Sequence, residues 1–391
     1  MSDVVIVAAQ RTAIGSFNGA FSAVSATVLG AAAIKGAMAA ANVNVNSVDE
    51  VLMGCVLPAG VGQAPARQAA MGAGLALHTP CTTISKVCGS GMRAIMSGFD
   101  AIKAGSANVV VAGGMESMTN APYLLPKARS GYRYGHGEVL DHMALDGLQN
   151  AGDRRAMGEF GEMCADTEAF SRADQDAFAT QSVQRAQAAI ASGAFNAEVV
   201  PVTVAGRKGD VVVASDEEPG NCDISKISTL KPAFKKDGSV TAASSSKISD
   251  GAAALVLMSS EHAKASGTAV LAKIVAHANH AQAPEWFTTA PIGAIEKVVK
   301  KAGWNMQDVD LFEINEAFAV VTMAAIKGLS LDPAKVNVNG GACALGHPIG
   351  ASGARIVVTL IHALRTRGLK RGVASLCIGG GEATALALEL V

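Results

Sequence analysis

Apolar and polar positions along the chain follow two periods. Short β-rich runs predict strands; the first, Met1-Ser2-Asp3-Val4-Val5-Ile6-Val7, opens the chain. Helical spacing fills the stretches between such runs. After Ile84-Ser85-Lys86-Val87, a predicted strand end, comes Cys88-Gly89-Ser90-Gly91 and then Ile95, Phe99 and Ile102 at i, i+4 and i+7, with Gly105 placed to end the helix. Ser171-Arg172-Ala173-Asp174 opens another helix with a good cap, running through Ile190 to Gly193. The most apolar helical stretch, Ser22 to Ile34, is broken by Lys35 and is too short to span a bilayer. Strands alternating with helices predict an α/β sheet.

The pattern repeats itself. Ala41-Asn42-Val43-Asn44 through Val48-Asp49 matches Ala302-Gly303-Trp304-Asn305 through Val309-Asp310 at an offset of 261 residues. Ser90-Gly91-Met92-Arg93-Ala94-Ile95 matches Ser352-Gly353-Ala354-Arg355-Ile356-Val357 at an offset of 262. Each is followed by a helical pattern and a β-rich run ending in glycines, Val109–Gly114 and Ala374–Gly381. Three ordered matches at nearly one offset argue for two related halves. From Thr119 to Lys247 the pattern changes to loop and then helix, with no counterpart in the second half, so this insert is expected to supply specificity or assembly contacts.

Composition narrows the function. A chain of 391 residues is long enough for two or more domains. A net charge of −1 argues against coating nucleic acid, and 4% aromatic residues argue against a base-stacking platform. The start has no basic region leading into a signal-type stretch, and Leu388-Glu389-Leu390-Val391 carries no targeting tripeptide, so a soluble cytoplasmic protein is expected. Seven cysteines include no C-x-x-C pair, so neither a zinc ribbon nor a redox pair is expected; Cys55, Cys81, Cys164 and Cys222 read as small buried hydrophobes.

Three positions carry candidate chemistry. Cys88 lies on a strand-to-helix elbow, where the helix dipole favours thiolate and neighbouring N–H groups can hold an oxyanion. Two other readings stand beside that one: a buried cysteine in a glycine turn, slightly favoured by position alone, and a dinucleotide loop, since Gly89–Ala94 fits G-x-G-x-x-A. The dinucleotide reading is weakened where the next strand ends in Gly113-Gly114 instead of an acidic residue. His347 stands in the glycine-rich stretch Asn337–Gly350, just before a helix, and Cys377 precedes Gly379-Gly380-Gly381. Asn315 sits where a strand gives way to a helix, and composition alone makes it an N-cap.

Together, Cys88-Gly89-Ser90-Gly91, Asn315-Glu316-Ala317-Phe318, Gly346-His347-Pro348 and Cys377-x-Gly379-Gly380-Gly381 resemble, in order and spacing, the four active-site motifs of the thiolases. Ala8–Thr12 and Gly113–Met118 also look like family signatures, and the resemblance covers essentially the whole chain. It implies a five-layer α-β-α-β-α core: a first half from 1–118 plus 248–268, an inserted loop domain at 119–247 and a second half at 269–391. It implies Cys88 as nucleophile, His347 as its base, Cys377 as second acid/base, and two oxyanion holes. One hole would be His347 with a water held by Asn315, the other the backbone N–H groups of Cys88 and Gly379. Coenzyme A would be substrate, with no metal and no permanently bound cofactor. Leu148, Met157, Ser246, Ala317 and Phe318 match positions lining the pantetheine channel, and 120–143 matches a segment that pairs dimers into tetramers.

Departures from the family pattern fall around the substrate. Ala156 replaces a usual histidine, Phe287 stands where many members have methionine, and Lys247 stands where glycine is usual. A basic residue is missing from Asp216-Glu217-Glu218-Pro219-Gly220-Asn221, where a CoA phosphate contact is expected, and Glu382-Ala383-Thr384 is unusual after the glycines. Three alternatives remain beside thiolytic acyl transfer on acetoacetyl-CoA or somewhat longer substrates. They are a decarboxylating ketosynthase or hydroxymethylglutaryl-CoA synthase-like enzyme, against which Cys377 argues, a nicotinamide-binding dehydrogenase, and a non-catalytic acyl-CoA-binding paralogue.

Overall fold

A computed structural model describes residues 3–391; Met1 and Ser2, part of the opening run, lie outside the described residues. Nine strands carry the architecture: β1 (Val4–Thr12), β2 (Glu50–Gly54), β3 (Cys81–Ile84), β4 (Val109–Ser117), β5 (Ser249–Ser259), β6 (Ala272–Ala281), β7 (Leu311–Ile314), β8 (Arg371–Ile378) and β9 (Glu382–Leu390). The helices that cover them are α1 (Ala26–Ala41), α2 (Pro65–Gly72), α3 (Ser90–Lys103), α4 (Met157–Glu168), α5 (Arg172–Ala191), α6 (Ala290–Ala302), α7 (Ala319–Leu329) and α8 (Ile349–Arg367). Helix α1 runs straight through Lys35 because that side chain is exposed on its outer face.

The strands follow the order β7-β8-β9-β6-β1-β5-β4-β2-β3. The two halves of this path meet only where Val4–Ile6 of β1 pair with Ala272–Ile274 of β6, whereas β1 pairs with β5 along most of its length. From that seam the halves diverge, and β1, β4, β5 and β8 are buried on both faces. Val5 and Val7 of β1 pack towards α1 and α2, while Val4 and Ile6 pack towards α3 and α8. In the other half Leu386 and Leu388 of β9 face α3 and α8, while Ala385 and Ala387 face α6. The result is five layers, with α3 and α8, one from each half, in the middle. Helix α8 is buried on every side from Ile349 to Leu364, as a helix enclosed between two sheets must be.

The two central helices cross at the duplicated Ser-Gly pairs. A Cβ on Gly91 would lie 2.8 Å from the backbone nitrogen of Ala354, and one on Gly353 would run into the backbone of Met92. Only glycine allows that approach.

The segment 119–247 contributes α4 and α5, the latter capped by Ser171 with Asp174 in a reciprocal box, and a π-helical turn at Ala144–Leu148. It is pinned to the core by a buried cluster. Arg11 on β1 donates to Glu198 at 2.6 Å and to both oxygens of Asp216 at 2.7 and 2.9 Å, and Thr359 of α8 donates to Glu198 at 3.1 Å. Among the described residues, no helix is long and apolar enough to cross a membrane.

Candidate active site

The turn from β3 into α3 is strained at Val87, a β-branched residue with φ of 45°. The side chain of Ser90 holds the turn, accepting from the Lys86 N–H at 2.8 Å and donating to the Val87 carbonyl at 2.6 Å. Cys88 is thereby fixed just before Gly89, the cap position of α3. Burial pushes its thiol up to about 11, while the N–H groups of Gly379 and of Cys88 itself pull in the opposite direction by holding the thiolate.

The duplicate of Ser90 does the corresponding work for His347. Ser352 Oγ donates to the Pro348 carbonyl at 3.0 Å and lies 2.6 Å from His347 Nδ1. With its own hydrogen committed, Ser352 accepts, so Nδ1 carries the imidazole hydrogen and Nε2 keeps a free lone pair. Nε2 is buried and has no protein partner. Burial, aided by Arg355, lowers His347 to about 3, so the imidazole is neutral at pH 7. The resting pair is therefore thiol and imidazole, not thiolate and imidazolium.

Cys377 lies one residue from the end of β8 and is buried; burial and the neighbouring Cys88 both push its thiol well up. Beyond it, Gly380 and Gly381 take φ of 95° and 87°, which bends the chain back into β9. Asn315 is fully buried at the end of β7, and neither side-chain polar atom has a protein partner. It is not an N-cap: α7 starts at Ala319, with Phe318 in the cap position. Its neighbour Glu316 turns the other way, accepting from Ser182 at 2.7 Å, Asn337 at 2.8 Å and the Cys343 N–H at 3.1 Å, which ties this motif to the loop before His347.

These elements enclose an inner chamber of about 50 Å³ walled by Cys88, His347, Cys377 and Gly379. Leu148, Met157, Ser246, Ala317 and Phe318 line the same chamber, and Asn315 alone among the expected residues is not on its wall. A wider outer cavity of about 290 Å³ shares His347, Leu148, Met157, Ser246 and Phe318 with it. Two thiols, an imidazole and a glycine backbone, drawn from both halves, thus meet in one chamber.

Comparison with known proteins agrees with this geometry. The family model described as the thiolase N-terminal domain matches residues 4–261, and that of the thiolase C-terminal domain matches 268–390. The chain belongs to the thiolase family. It is 50% identical to an acetyl-CoA acetyltransferase of Schizosaccharomyces pombe and to one of Escherichia coli, in each case over 100% of this chain and 99% of the relative. The crystal structure of the Bacillus anthracis acetyl-CoA acetyltransferase superimposes with a TM-score of 0.98 at 43% identity, covering 100% of this chain and 99% of that one. A thiolase from Ascaris suum in complex with coenzyme A gives 0.94 at 42% identity, covering 100% of both chains.

Three departures of this thiolase lie at the channel. Phe287 is buried, closes the inner chamber and meets Phe160 edge-on at 6.2 Å. Ala156 and Lys247 line the outer cavity, and the Lys247 ammonium donates to the Ala242 carbonyl and, at 3.5 Å, to that of Ser245.

Sequence reasoning did not single out Ser352, Glu316 or Glu116. Glu116 accepts N–H groups from Val56 at 3.0 Å, Leu57 at 3.1 Å and Gly350 at 2.8 Å, so it anchors the first turn of α8 beside His347. Burial pushes its carboxyl up to about 7, against those donors. The available signal was the Ser90/Ser352 duplication, since a residue repeated along with a glycine elbow invites a repeated role.

Proposed function

We propose that this thiolase is an acyltransferase that cleaves short 3-oxoacyl-CoA thioesters, acetoacetyl-CoA among them, with coenzyme A, and catalyses the reverse Claisen condensation. The observation that carries the reading is the meeting of two thiols, the half-buried Cys88 and the buried Cys377, one from each half, with an unpartnered imidazole nitrogen in one small chamber. In thiolysis His347 Nε2 takes the Cys88 proton as sulfur attacks the 3-oxo carbon. The bond between C2 and C3 then breaks, Cys377 protonates the departing acetyl-CoA carbanion, and the acyl group remains on Cys88 as a thioester. The thiol of a second coenzyme A gives its proton to the Cys377 thiolate and attacks that thioester; the bond to the Cys88 sulfur breaks, that sulfur takes back the proton held by His347, and the acyl group leaves as acyl-CoA. Two thiols and one imidazole account for every proton moved, and the kinetics are ping-pong.

Negative charge develops on oxygen in each step. The N–H groups of Cys88 and Gly379, which already converge on the Cys88 sulfur, are suited to one oxyanion. His347, with a water on the unpartnered amide of Asn315, is suited to the other. The outer cavity takes the pantetheine arm along Leu148, Met157, Ser246 and Phe318, and Ala317 lines its inner end. Phe287 closes the inner chamber and favours a short acyl group.

The division into a first half (1–118 with 248–268), an insert (119–247) and a second half (269–391) is supported by the seam between β1 and β6. A tetrameric assembly is supported by the exposed Tyr123, Leu125, Tyr134 and Val139 around the small hairpin Tyr123–Leu124/Leu140–Asp141.

The deciding assay is release of acetyl-CoA from acetoacetyl-CoA and coenzyme A by the purified protein. Cys88→Ser should abolish it, and full rate in that variant would refute the nucleophile. Across a chain-length series of 3-oxoacyl-CoA, kcat/KM should fall beyond the shortest members, and Phe287→Ala should shift the preference to longer ones. No shift would remove Phe287 from acyl selection.

A further inference from the structure

We propose that the ion pair between Lys86 and Glu382 is a clamp that sets the distance between the two backbone N–H groups facing Cys88. The proposal rests on the reading of Cys88 as nucleophile. The two donors belong to different halves: the Cys88 N–H hangs on the elbow after β3, and the Gly379 N–H on the glycine turn after β8. Each turn is held within its own half, the elbow by Ser90 and the glycine turn by the β8–β9 ladder, but neither hold fixes one turn against the other. The elbow holds a strained Val87, and the glycine turn holds two consecutive residues at positive φ, the least restricted backbone a chain can offer. Lys86 lies two residues before Cys88, and Glu382 is the first residue of β9, directly after Gly381.

Their side chains close the gap between the turns, with Nζ and Oε2 2.5 Å apart. Each partner is well tied by its own backbone. The Lys86 N–H donates to Ser90 and its carbonyl accepts from the Gly89 N–H at 3.0 Å, while Glu382 is held in the ladder opposite Ala281 and Ile378. A force between the two side chains is therefore passed to the turns instead of being absorbed by slack. The pair is 24% and 37% exposed, so it contributes little to global stability, which lets its effect on the site be read separately. Lys86 and Glu382 are positioning residues: they act through the two N–H groups and touch no reacting atom.

The test uses Lys86→Met, Glu382→Gln and the exchanged pair Lys86→Glu with Glu382→Lys. Each single change should lower kcat about two- to five-fold, the range expected for a partly exposed ion pair, with KM for coenzyme A held within about twofold and the melting temperature unchanged. The pH midpoint for alkylation of Cys88 by iodoacetamide should rise in both, because the thiolate loses part of its N–H support. The exchanged pair should recover most of kcat and of the midpoint. High salt should slow the wild type towards the single variants and leave those unaffected. The clamp is refuted if the single variants keep the wild-type kcat and alkylation midpoint, if KM moves in place of kcat, or if the exchanged pair is no better than either single change. Alkylation needs no acyl-CoA, so a wild type that releases no acetyl-CoA would overturn the thiolysis reading while the clamp is still tested.

Discussion

Asn315 is a polar side chain kept in full burial with both polar atoms lacking a protein partner, an arrangement that lowers stability by about 1–3 kcal/mol. A residue retained on those terms serves something other than the fold. Asn315→Leu, which keeps the branching of the side chain, should raise stability to denaturation in urea by about 1–2 kcal/mol and lower kcat by about a hundredfold; a variant that keeps kcat would leave Asn315 without a catalytic role. His347 gives a second prediction with a definite sign. Its folded pKa of about 3 lies below its ordinary 6.5, so between those values the unfolded chain holds the extra proton. Stability from the neutral imidazole is then complete above pH 6.5 and is lost as pH falls towards 3. From pH 7 to pH 5 the loss attributable to this residue is about 2 kcal/mol. It is measured as the difference in pH dependence between the wild type and His347→Gln; parallel curves would contradict it. His347 was legible as a candidate from its glycine and proline company, whereas Asn315 read on composition as an N-cap and became a candidate only through the resemblance to the thiolase motifs. Ser352 was not legible, because a serine in the first turn of a helix has many ordinary uses and its partner is visible only once the ring of His347 is placed.

The central helices show how one short repeated word in the sequence becomes a structural joint. Ser90-Gly91 opens α3 and Ser352-Gly353 lies near the start of α8; the serines tie down the loops that carry Cys88 and His347, and the glycines let the helices touch. Gly353→Ala inserts a methyl group against the Met92 backbone, which no rotamer change can relieve. It should destabilise by about 1–3 kcal/mol or more in urea denaturation. It should also lower kcat more than it raises KM for coenzyme A, because both loops move with the helices. An effect confined to stability would mean the joint is packing alone. The duplication, the α/β alternation and particular elements, α3 and α5 among them, could be read from local periodicity. The seam between β1 and β6 could not, since the partners of Val4–Ile6 lie at Ala272–Ile274 and both faces of the strand are apolar. With no polar face to set register, that pairing is decided by the packing of the whole molecule.

At the scale of the whole molecule, the insert that walls the channel is fastened to the core by a charged cluster beside its apolar packing. Asp216, in the stretch that lacks an expected basic residue, accepts from Arg11 and from the Ile14 N–H at 2.8 Å, and Glu217 accepts from the N–H groups of Ser16 at 2.8 Å and Ala20 at 3.0 Å. These carboxylates dock the insert on the loop after β1, and Glu198 links the same arginine to Thr359 on α8. Arg11 thus joins a strand of the first half, two parts of the insert and the central helix of the second half, with its side chain wholly buried. The two carboxylates hold its guanidinium charged despite that burial. Removing it strands two buried carboxylates, which costs about 3–5 kcal/mol. Arg11→Met should therefore lower the melting temperature, expose the insert to limited proteolysis before the sheet is cut, and raise KM for coenzyme A. Arg11→Lys should recover only part, because one ammonium cannot match the fork that serves Glu198 and Asp216 together. The iodoacetamide reactivity of Cys88 reports the elbow and the glycine turn, neither of which the cluster touches, so it should stay at the wild-type value. If alkylation changes as much as KM, the insert is not fastened independently and the arginine supports the whole core.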